Sequence, residues 1–427
     1  RDADPRQQTL RATVEWSWEL LSSEEQALFA RLAVFGGGCT LEAAEEVCDA
    51  DVDLLQSLVE KSLLRYSNER YWLLETIREL AEEKLEASGA ADGVRRRHAL
   101  YYLELGRSLG LTMENLERVG VQRHDVAIVE QSNFRAAIDW ASSADLPLAV
   151  EIAFALENFW VTHDPQEGIR RFEVLLARSD ELTVELRAAV HRVLGNVTIF
   201  VGDRPGGVAH YDAALAAYRE AGDEVGTLLM EHRAFINREV GDLDERRKGL
   251  EELLARSRAL GMPSAEVQAL SALAGVMRRQ GDIDGAVALL RTAAAKAESI
   301  GFAWTERSAR ESLARIHLEA GQLAAGREEG LRALELARRT GDRLGAAWSL
   351  TFFAQLAVRT GELERAGVLW GAVEAEHERK LLGLWAEDRS EVEAGLPLDD
   401  PGFARGRARG RTLPFEDALD YVLASLD

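Results

Sequence analysis

The sequence predicts a mainly α-helical protein: an α-solenoid of helical hairpins about 40 residues long, behind a small N-terminal block that carries the only convincing β structure. Three observations lead there. The dipeptides Gly202-Asp203, Gly241-Asp242, Gly281-Asp282, Gly321-Gln322 and Gly361-Glu362 recur at spacings of 39, 40, 40 and 40 residues. A second glycine falls halfway through each period, at Gly222, Gly261, Gly301 and Gly341. Proline, which removes an N–H and crowds the preceding helical turn, is absent between Pro5 and Pro147 and again between Pro263 and Pro397. A glycine every ~20 residues, with helix-forming sequence between, reads as stacked hairpins. Each glycine takes the left-handed conformation that ends one helix, or the tight turn that starts the next.

The offsets around these glycines are also regular. Seven residues before the first glycine of each period stands a small residue: Gly195, Ala234, Ala274, Ala314 or Ala354. Five residues after it stand Gly207, Arg246, Ala286, Gly326 and Ala366, four of the five small. Small side chains let two helices approach closely, and the large neighbours Leu194, Leu273, Leu313 and Phe353 fill the next layer, with Arg233 as the exception. These offsets resemble the tetratricopeptide repeat, whose usual period is about 34 residues. Here each helix is longer by roughly one turn.

Composition bounds the class. A chain of 427 residues is too long for one compact core. Its 51 Lys and Arg against 73 Asp and Glu give a net charge of −22, which argues against a broad nucleic-acid footprint and against an anionic membrane surface. No apolar run approaches the ~18 residues of a membrane span, and Arg1-Asp2-Ala3-Asp4 is no signal peptide, so a cytoplasmic protein with no membrane partner is expected. Cys39 and Cys48 are too few for a disulfide framework or a four-ligand zinc site. The first residue is not methionine, and a fragment of a larger protein is expected.

In chain order, residues 9–20 form an amphipathic helix with Trp16, Trp18 and Leu20. Two overlapping capping boxes, Ser22 with Glu25 and Ser23 with Gln26, open a second helix that buries Leu28, Phe29, Leu32 and Phe35 and breaks at Gly36-Gly37-Gly38. Thr40 caps a third helix through Val47, with the two cysteines flanking it as small buried residues. Val52, Leu55, Leu58 and Val59 give a fourth helix its apolar face. The period then changes: Leu63–Tyr66 and Tyr71–Leu74 flank the polar turn Ser67-Asn68-Glu69-Arg70, a short hairpin, and a helix follows from Glu75 to about Glu86. Helices plus a two-stranded wing make a winged helix over residues 1–88. Residues 87–95 are small and polar and read as a domain joint. A helical linker arm over 89–180 carries aromatic anchors such as Tyr101, Tyr102, Phe134 and Trp160, with Asn133 placed to cap or cross-bridge helices. The repeats occupy 181–380 and a C-terminal cap 381–427, in which Gly395 to Pro414 reads as a loop and Phe415 to Leu426 as a final amphipathic helix.

The blocks QTLRATVEWSWELLSSEEQALFARLAVFGGGCTLEAAEEVC, LLQSLVEKSLL and YWLLETIRELAEEKLE resemble the winged-helix region of bacterial STAND ATPases, the signal-transduction ATPases with numerous domains. In actinobacteria these include LuxR-like, antibiotic-regulatory and cyclase-linked regulators. RRRHALYYLELG, VEQSNFRAAIDWA and FWVTHDPQEGIRRFEVLLA are similar to the helical arm that follows, and FARGRARGRTLPFEDALDYVL to a terminal cap. The resemblance covers nearly the whole chain and implies an ATPase module of the NB-ARC type upstream. ATP or ADP is then expected in the parent and no cofactor in this chain, which has no Gly-x-x-x-x-Gly-Lys-Ser/Thr loop. Many STAND proteins open the last winged-helix helix with Met-His-Asp, whose histidine senses phosphate. The matching positions here are Leu73-Leu74-Glu75, and leucine cannot donate a hydrogen bond. Glu75 is retained as a nucleotide-proximal candidate, against a plain helix-start charge.

DNA binding through the winged helix is tested by charge. Residues 1–88 carry 9 Lys and Arg against 19 Asp and Glu, a net of −10, and the fourth helix offers mainly acidic or neutral polar positions. Phosphate contacts need cations, so direct DNA contact is not expected. Glu374-x-x-His377 has half the spacing of a di-metal motif but lacks a second copy, and reads as a solvated helix face. The eight histidines show no metal-ligand spacing and no nucleophile elbow occurs, so no enzyme is expected.

The groove of the repeats is the remaining candidate. Projecting the register places Arg192, Asn196, Glu231, Phe235, Arg238, Gln268, Arg278, Glu311, Arg315, Trp348 and Gln355 on its inner face. Arg238 and Arg278, one repeat apart, would stack on one stripe, with arginine forks suited to carboxylate or phosphate and Trp348 as an aromatic platform. The expected function is the regulatory, protein-interaction and sensor region of a STAND-type ATPase or transcriptional regulator, whose groove takes a protein or small-molecule effector. A DNA-binding regulator acting through the winged helix and a stand-alone scaffold are the alternatives.

Overall fold

The computed structural model describes residues 5–112, 123–238, 241–380, 385, 389–390 and 392–423. It divides into two compact units, one running to Leu111 and resuming from Arg123 to Leu156, the other from Glu157 onward. The division falls inside the stretch read from sequence as a linker arm, so the arm's first helices fold with the N-terminal block.

The first unit contains α1 (Pro5–Glu19), α2 (Ser23–Arg31), α3 (Leu41–Cys48), α4 (Val52–Glu60), strands β1 (Arg65–Ser67) and β2 (Arg70–Trp72), α5 (Glu75–Ala87), α6 (Ala91–Ser108), α7 (His124–Ala144) and α8 (Leu146–Ala155). The helix and hairpin order through α5 is the one expected. Of the two capping boxes, Ser22 with Glu25 forms. The other does not, because Ser23 is already helical and Gln26 donates its amide to the Trp18 carbonyl at 3.0 Å. Lys61 and Ser57 also converge on Glu25, and the Lys61 ammonium first of all holds its carboxyl down at about 2. Thr40 caps α3 through the Ala43 N–H at 3.2 Å.

The hairpin turns through Asn68 and Glu69, at φ 52° and 60°, the primed geometry that matches the twist of two antiparallel strands. Cys39 adds a third row by exchanging two 2.8 Å hydrogen bonds with Tyr71. Gly38 at φ 72° permits this, since a Cβ there would strike the Tyr71 carbonyl. The hairpin is tied to the helices at Glu130, which accepts from Arg70, from the Tyr102 hydroxyl at 2.9 Å and from Asn133 at 2.7 Å. Asn133 also donates to the Gly38 carbonyl, so it bridges rather than caps. Both cysteines are buried, and burial pushes the Cys39 thiol up to about 12. The expected joint at residues 87–95 is a single tight turn: α5 ends at Ala87, Gly89 adopts φ 70° and α6 begins at Ala91.

The second unit begins with α9 (Glu157–Thr162) and α10 (Pro165–Leu176). Five hairpins follow: α11 (Val184–Phe200) with α12 (Arg204–Ala221), α13 (Glu224–Asn237) with α14 (Leu243–Ala259), α15 (Pro263–Arg279) with α16 (Ile283–Ser299), α17 (Ala303–Glu319) with α18 (Leu323–Thr340), and α19 (Arg343–Thr360) with α20 (Leu363–Lys380). The recurring dipeptide has two physical jobs. Its glycine ends a helix in the left-handed region, as at Gly281, φ 87°, and Gly361, φ 82°. Its aspartate caps the next helix: Asp203, Asp242 and Asp282 accept from backbone N–H groups two or three residues on. The small residues meet as expected. A Cβ on Gly195 would lie 3.2 Å from the Gly207 carbonyl, and one on Gly326 would lie 3.1 Å from the Ala314 carbonyl. Arg246 breaks the small pattern by lying over the Phe235 ring and donating to the Ile236 and Arg238 carbonyls.

The stretch read as a loop from Gly395 to Pro414 holds a helix instead, α21 (Pro401–Gly410), followed by α22 (Phe415–Leu423). Its glycines explain the correction. Gly406 and Gly410 press against the carbonyls of Glu364 and Val368, while Gly367 and Gly371 press against those of Phe403 and Arg407. A four-residue glycine spacing on both helices lets their backbones touch, as in close-packed helix pairs elsewhere. Glu374 is not a solvated face either. It is buried and accepts from Arg389 and doubly from Arg407, each at 2.6 Å.

His232 on α13 is fully buried, and neither ring nitrogen finds a hydrogen bond among the described residues. Burial pushes its pKa down to about 3, and that of His98 in the first unit likewise to about 3. An unfolded histidine takes a proton near 6.5. Between about 6.5 and about 3 the unfolded chain therefore binds protons that the folded chain refuses. The stabilisation is full above that window and is lost as pH falls through it. His232→Met is expected to stabilise the protein at pH 7 by about 1–3 kcal/mol, by removing two unpaired polar atoms, and to flatten the acid limb of denaturant-melt stability against pH. No helix among the described residues is long and apolar enough to cross a membrane.

Candidate functional site

Four of the eleven residues projected onto the inner face meet at one place. Glu311 and Arg315 on α17 and Trp348 and Gln355 on α19 line a cavity of about 280 Å³. The repeat register brings them together, because α17 and α19 are the first helices of successive hairpins and residues 315 and 355 are equivalent positions. Leu318, Phe352 and Val358 supply apolar wall, and Val392 and Gly395 close one side.

Charge is fixed around this cavity by a buried relay. Arg307 donates to Glu311 at 2.5 Å and lies 2.9 Å from Asp342, which caps α19 through the Gly345 N–H. Ser349 donates to Glu311 at 3.2 Å. Burial pushes the Glu311 carboxyl up, against the pull of Arg307. Glu319, also in the lining, is paired with Arg278 at 3.3 Å. Arg278 therefore reaches the rim of the cavity through an acid one repeat on.

Arg359 was missed from sequence. It lies one helical turn beyond Gln355, so the i, i+4 rule applied to the projected stripe would have found it. Val392 and Gly395 could not have been found, since they lie outside the repeat register.

The other projected positions do different work. Arg192 is buried and donates to Glu157 at 2.8 and 2.6 Å, and Asn196 donates to the same carboxylate while accepting from the Tyr211 hydroxyl. Helices α9 and α10 stand where a preceding repeat would, and they cover this face. Glu231 is held between Arg219 and Arg256 of the second helices, at 2.7 and 2.5 Å. Phe235 packs against Gly249 on α14. Arg238 follows the end of α13 and pairs with Asp212 on α12, so it shares no stripe with Arg278. Gln268 is buried, and its amide nitrogen has no partner among the described residues. In the first unit, Glu75 is exposed at the start of α5, and the Arg78 guanidinium at 2.6 Å holds its carboxyl below the usual range.

Among the described residues no group of three metal-ligating side chains gathers. His191 and His210 approach Nδ1 to Nδ1 at 3.1 Å with ring centroids 5.4 Å apart, a spacing at which one ring donates to the other.

No family model matches this sequence. Among curated proteins, relatives from Mycobacterium tuberculosis and Mycobacterium bovis, provisionally described as HTH-type transcriptional regulators, are 37% identical over 244 residues, covering 52% of this chain and 27% of theirs. The chain thus spans about a quarter of the length of these relatives. An uncharacterised M. tuberculosis protein is 43% identical over 104 residues, 22% of this chain and 26% of that one. Among solved structures, a Rap protein complexed with competence and sporulation factor matches with a TM-score of 0.50 at 15% identity, over 77% of this chain and 98% of that one. A STAND protein with a tetratricopeptide repeat sensor from Pyrococcus horikoshii matches at 0.47 and 15%, over 100% of this chain and 68% of that one. The chain carries tetratricopeptide-like helical repeats and is related in sequence to mycobacterial proteins provisionally described as HTH-type transcriptional regulators.

Proposed function

We propose that this chain is the regulatory and sensor region of a STAND-type signal-transduction ATPase or transcriptional regulator, and that the repeat surface at the α17–α19 cavity binds its effector or protein partner. The observation that carries the reading is the convergence of Glu311, Arg315, Trp348 and Gln355, from two successive repeats, on one cavity. A Rap protein of the same fold was solved with competence and sporulation factor bound, which supports a ligand-holding role for such a surface. The N-terminal block is taken as a winged helix that packs on an upstream ATPase module, with ATP or ADP bound by that module. Ligand in the cavity favours one of two arrangements of the parent, and through it the parent's cytoplasmic signalling output. No catalytic step is assigned to this chain, and its acidic α4 assigns it no DNA contact.

The test is made in the organism, with the parent gene carrying Trp348→Ala. Losing a half-buried aromatic from a binding cavity costs about tenfold or more in affinity. The transcript profile is expected to move toward that of a strain lacking the gene or locked in one output. A profile identical to wild type, with the variant protein present at normal level, overturns the reading.

A further inference from the structure

We infer that the α17–α19 cavity is built for a small amphipathic carboxylic acid, its carboxylate between Arg315 and Arg359 and its apolar part against Trp348 and Phe352. The inference deepens the sensor reading above and rests on it.

Charge within the cavity is the first ground. Four ionisable side chains line it: Glu311, Arg315, Glu319 and Arg359. Both acids are engaged, Glu311 by Arg307 and Ser349 and Glu319 by Arg278. Arg315 and Arg359 are exposed, and neither has an ion-pair partner among the described residues. By repeat register Arg315 is equivalent to Gln355, and Glu319 to Arg359. The two arginines therefore stand on a diagonal across α17 and α19, one from each helix. Arg315 feels the Glu311 carboxylate but, like Arg359, forms no ion pair among the described residues, so in a chain of net charge −22 two guanidinium groups facing one cavity mark where an anion fits.

The rest of the lining narrows the anion. The Thr351 hydroxyl donates to the Ala347 carbonyl and accepts from the Trp385 indole at 2.9 Å, so it has no proton to offer. The Gln355 amide and the Trp348 indole N–H are the neutral side-chain donors left. Two guanidinium forks and the neutral donors beside them suit the two oxygens of a carboxylate, and it is the apolar remainder of the wall that sets an organic acid apart from inorganic phosphate. Leu318, Trp348, Phe352, Val358 and Val392 make the remaining wall apolar, which asks for a hydrocarbon or aromatic group beside the acid. The volume of about 280 Å³ lies at the lower end for small-molecule sites, which suits a compact acid.

The test uses the intact 427-residue chain and N-acetylleucine as the probe, titrated by calorimetry beside its neutral amide and beside inorganic phosphate. Saturable binding of the acid is expected, about tenfold or more tighter than the amide or phosphate. Arg315→Gln and Arg359→Gln should each weaken the acid about ten- to hundredfold with little change in the amide. Both side chains are exposed, so circular dichroism and melting temperature should match wild type. Equal binding of acid and amide, phosphate binding as tight as the acid, no saturation up to solubility, or full binding by either variant overturns the inference. If the acid fails while Trp348→Ala still alters transcription, the anion preference alone is wrong. If the acid binds and Trp348→Ala changes nothing in the cell, it is the sensor reading that fails.

Discussion

Glu157→Ala is expected to destabilise the second unit by about 3–5 kcal/mol, the cost of leaving a buried guanidinium without its partner. Glu157 and Arg192 are each 1% exposed and joined by two short hydrogen bonds. Asn196 adds a third contact and passes it to Tyr211, so one carboxylate joins α9, α11 and α12. In the variant Arg192 cannot reach water without dismantling these contacts. The loss should appear as a lowered denaturant midpoint and as faster amide exchange in α9 through α12, with the first unit unchanged. Glu157→Leu combined with Arg192→Met should recover most of the loss, because a packed apolar pair needs no partner. A single variant as stable as wild type would show that the pair is solvated in solution.

Gly406→Leu is expected to release the C-terminal cap. Its Cβ would fall on the Glu364 carbonyl, well inside any allowed contact with rigid backbone, and the rest of the side chain would have no space at all. Ordinary overpacking costs about 1–3 kcal/mol because side chains yield; two helix backbones in contact cannot. Trp370, Trp385, Phe403 and Phe415 share the apolar cluster that the cap seals. Limited proteolysis should therefore cut near α21, and tryptophan emission should shift to the red. Gly275→Ala is the matched control. It also replaces a helical glycine, but one whose Cβ would meet nothing within 4 Å, and it should stabilise by about 0.5–1 kcal/mol. Equal behaviour of the two variants would mean that α20 and α21 are not in backbone contact.

These two sites also show what the sequence could and could not disclose. The hairpins were legible because each residue of the recurring dipeptide acts locally: glycine ends one helix and aspartate caps the next. The small positions before and after it were legible because they repeat with the same period. Glu157 was not, since its partner lies 35 residues away and it precedes the first repeat. Arg192 and Asn196 therefore read as groove lining, whereas Arg192 is buried, Asn196 is half-buried and both are spent on Glu157. The stretch from Gly395 to Pro414 reads as loop, yet Pro401–Gly410 is helical: glycine has low intrinsic helix propensity, and a backbone contact with α20 that single-chain propensity cannot see overrides it. At the candidate site the projected stripe located Glu311, Arg315, Trp348 and Gln355, where the register is most regular. It failed at Glu231 and Phe235, whose packing against Arg219, Arg256 and Gly249 departs from the small-residue pattern.

Since the turns at Gly281 and Gly321 share one backbone geometry, though Asp282 caps its helix and Gln322 does not, and each pair leans on its immediate neighbours, excision of residues 282–321 would rejoin matching backbones. Such a gene can shorten or grow by whole units through unequal recombination, with no new junction to invent. The span it offers to whatever it grasps is thereby open to selection in steps of 40 residues, independently of the chemistry at either extremity.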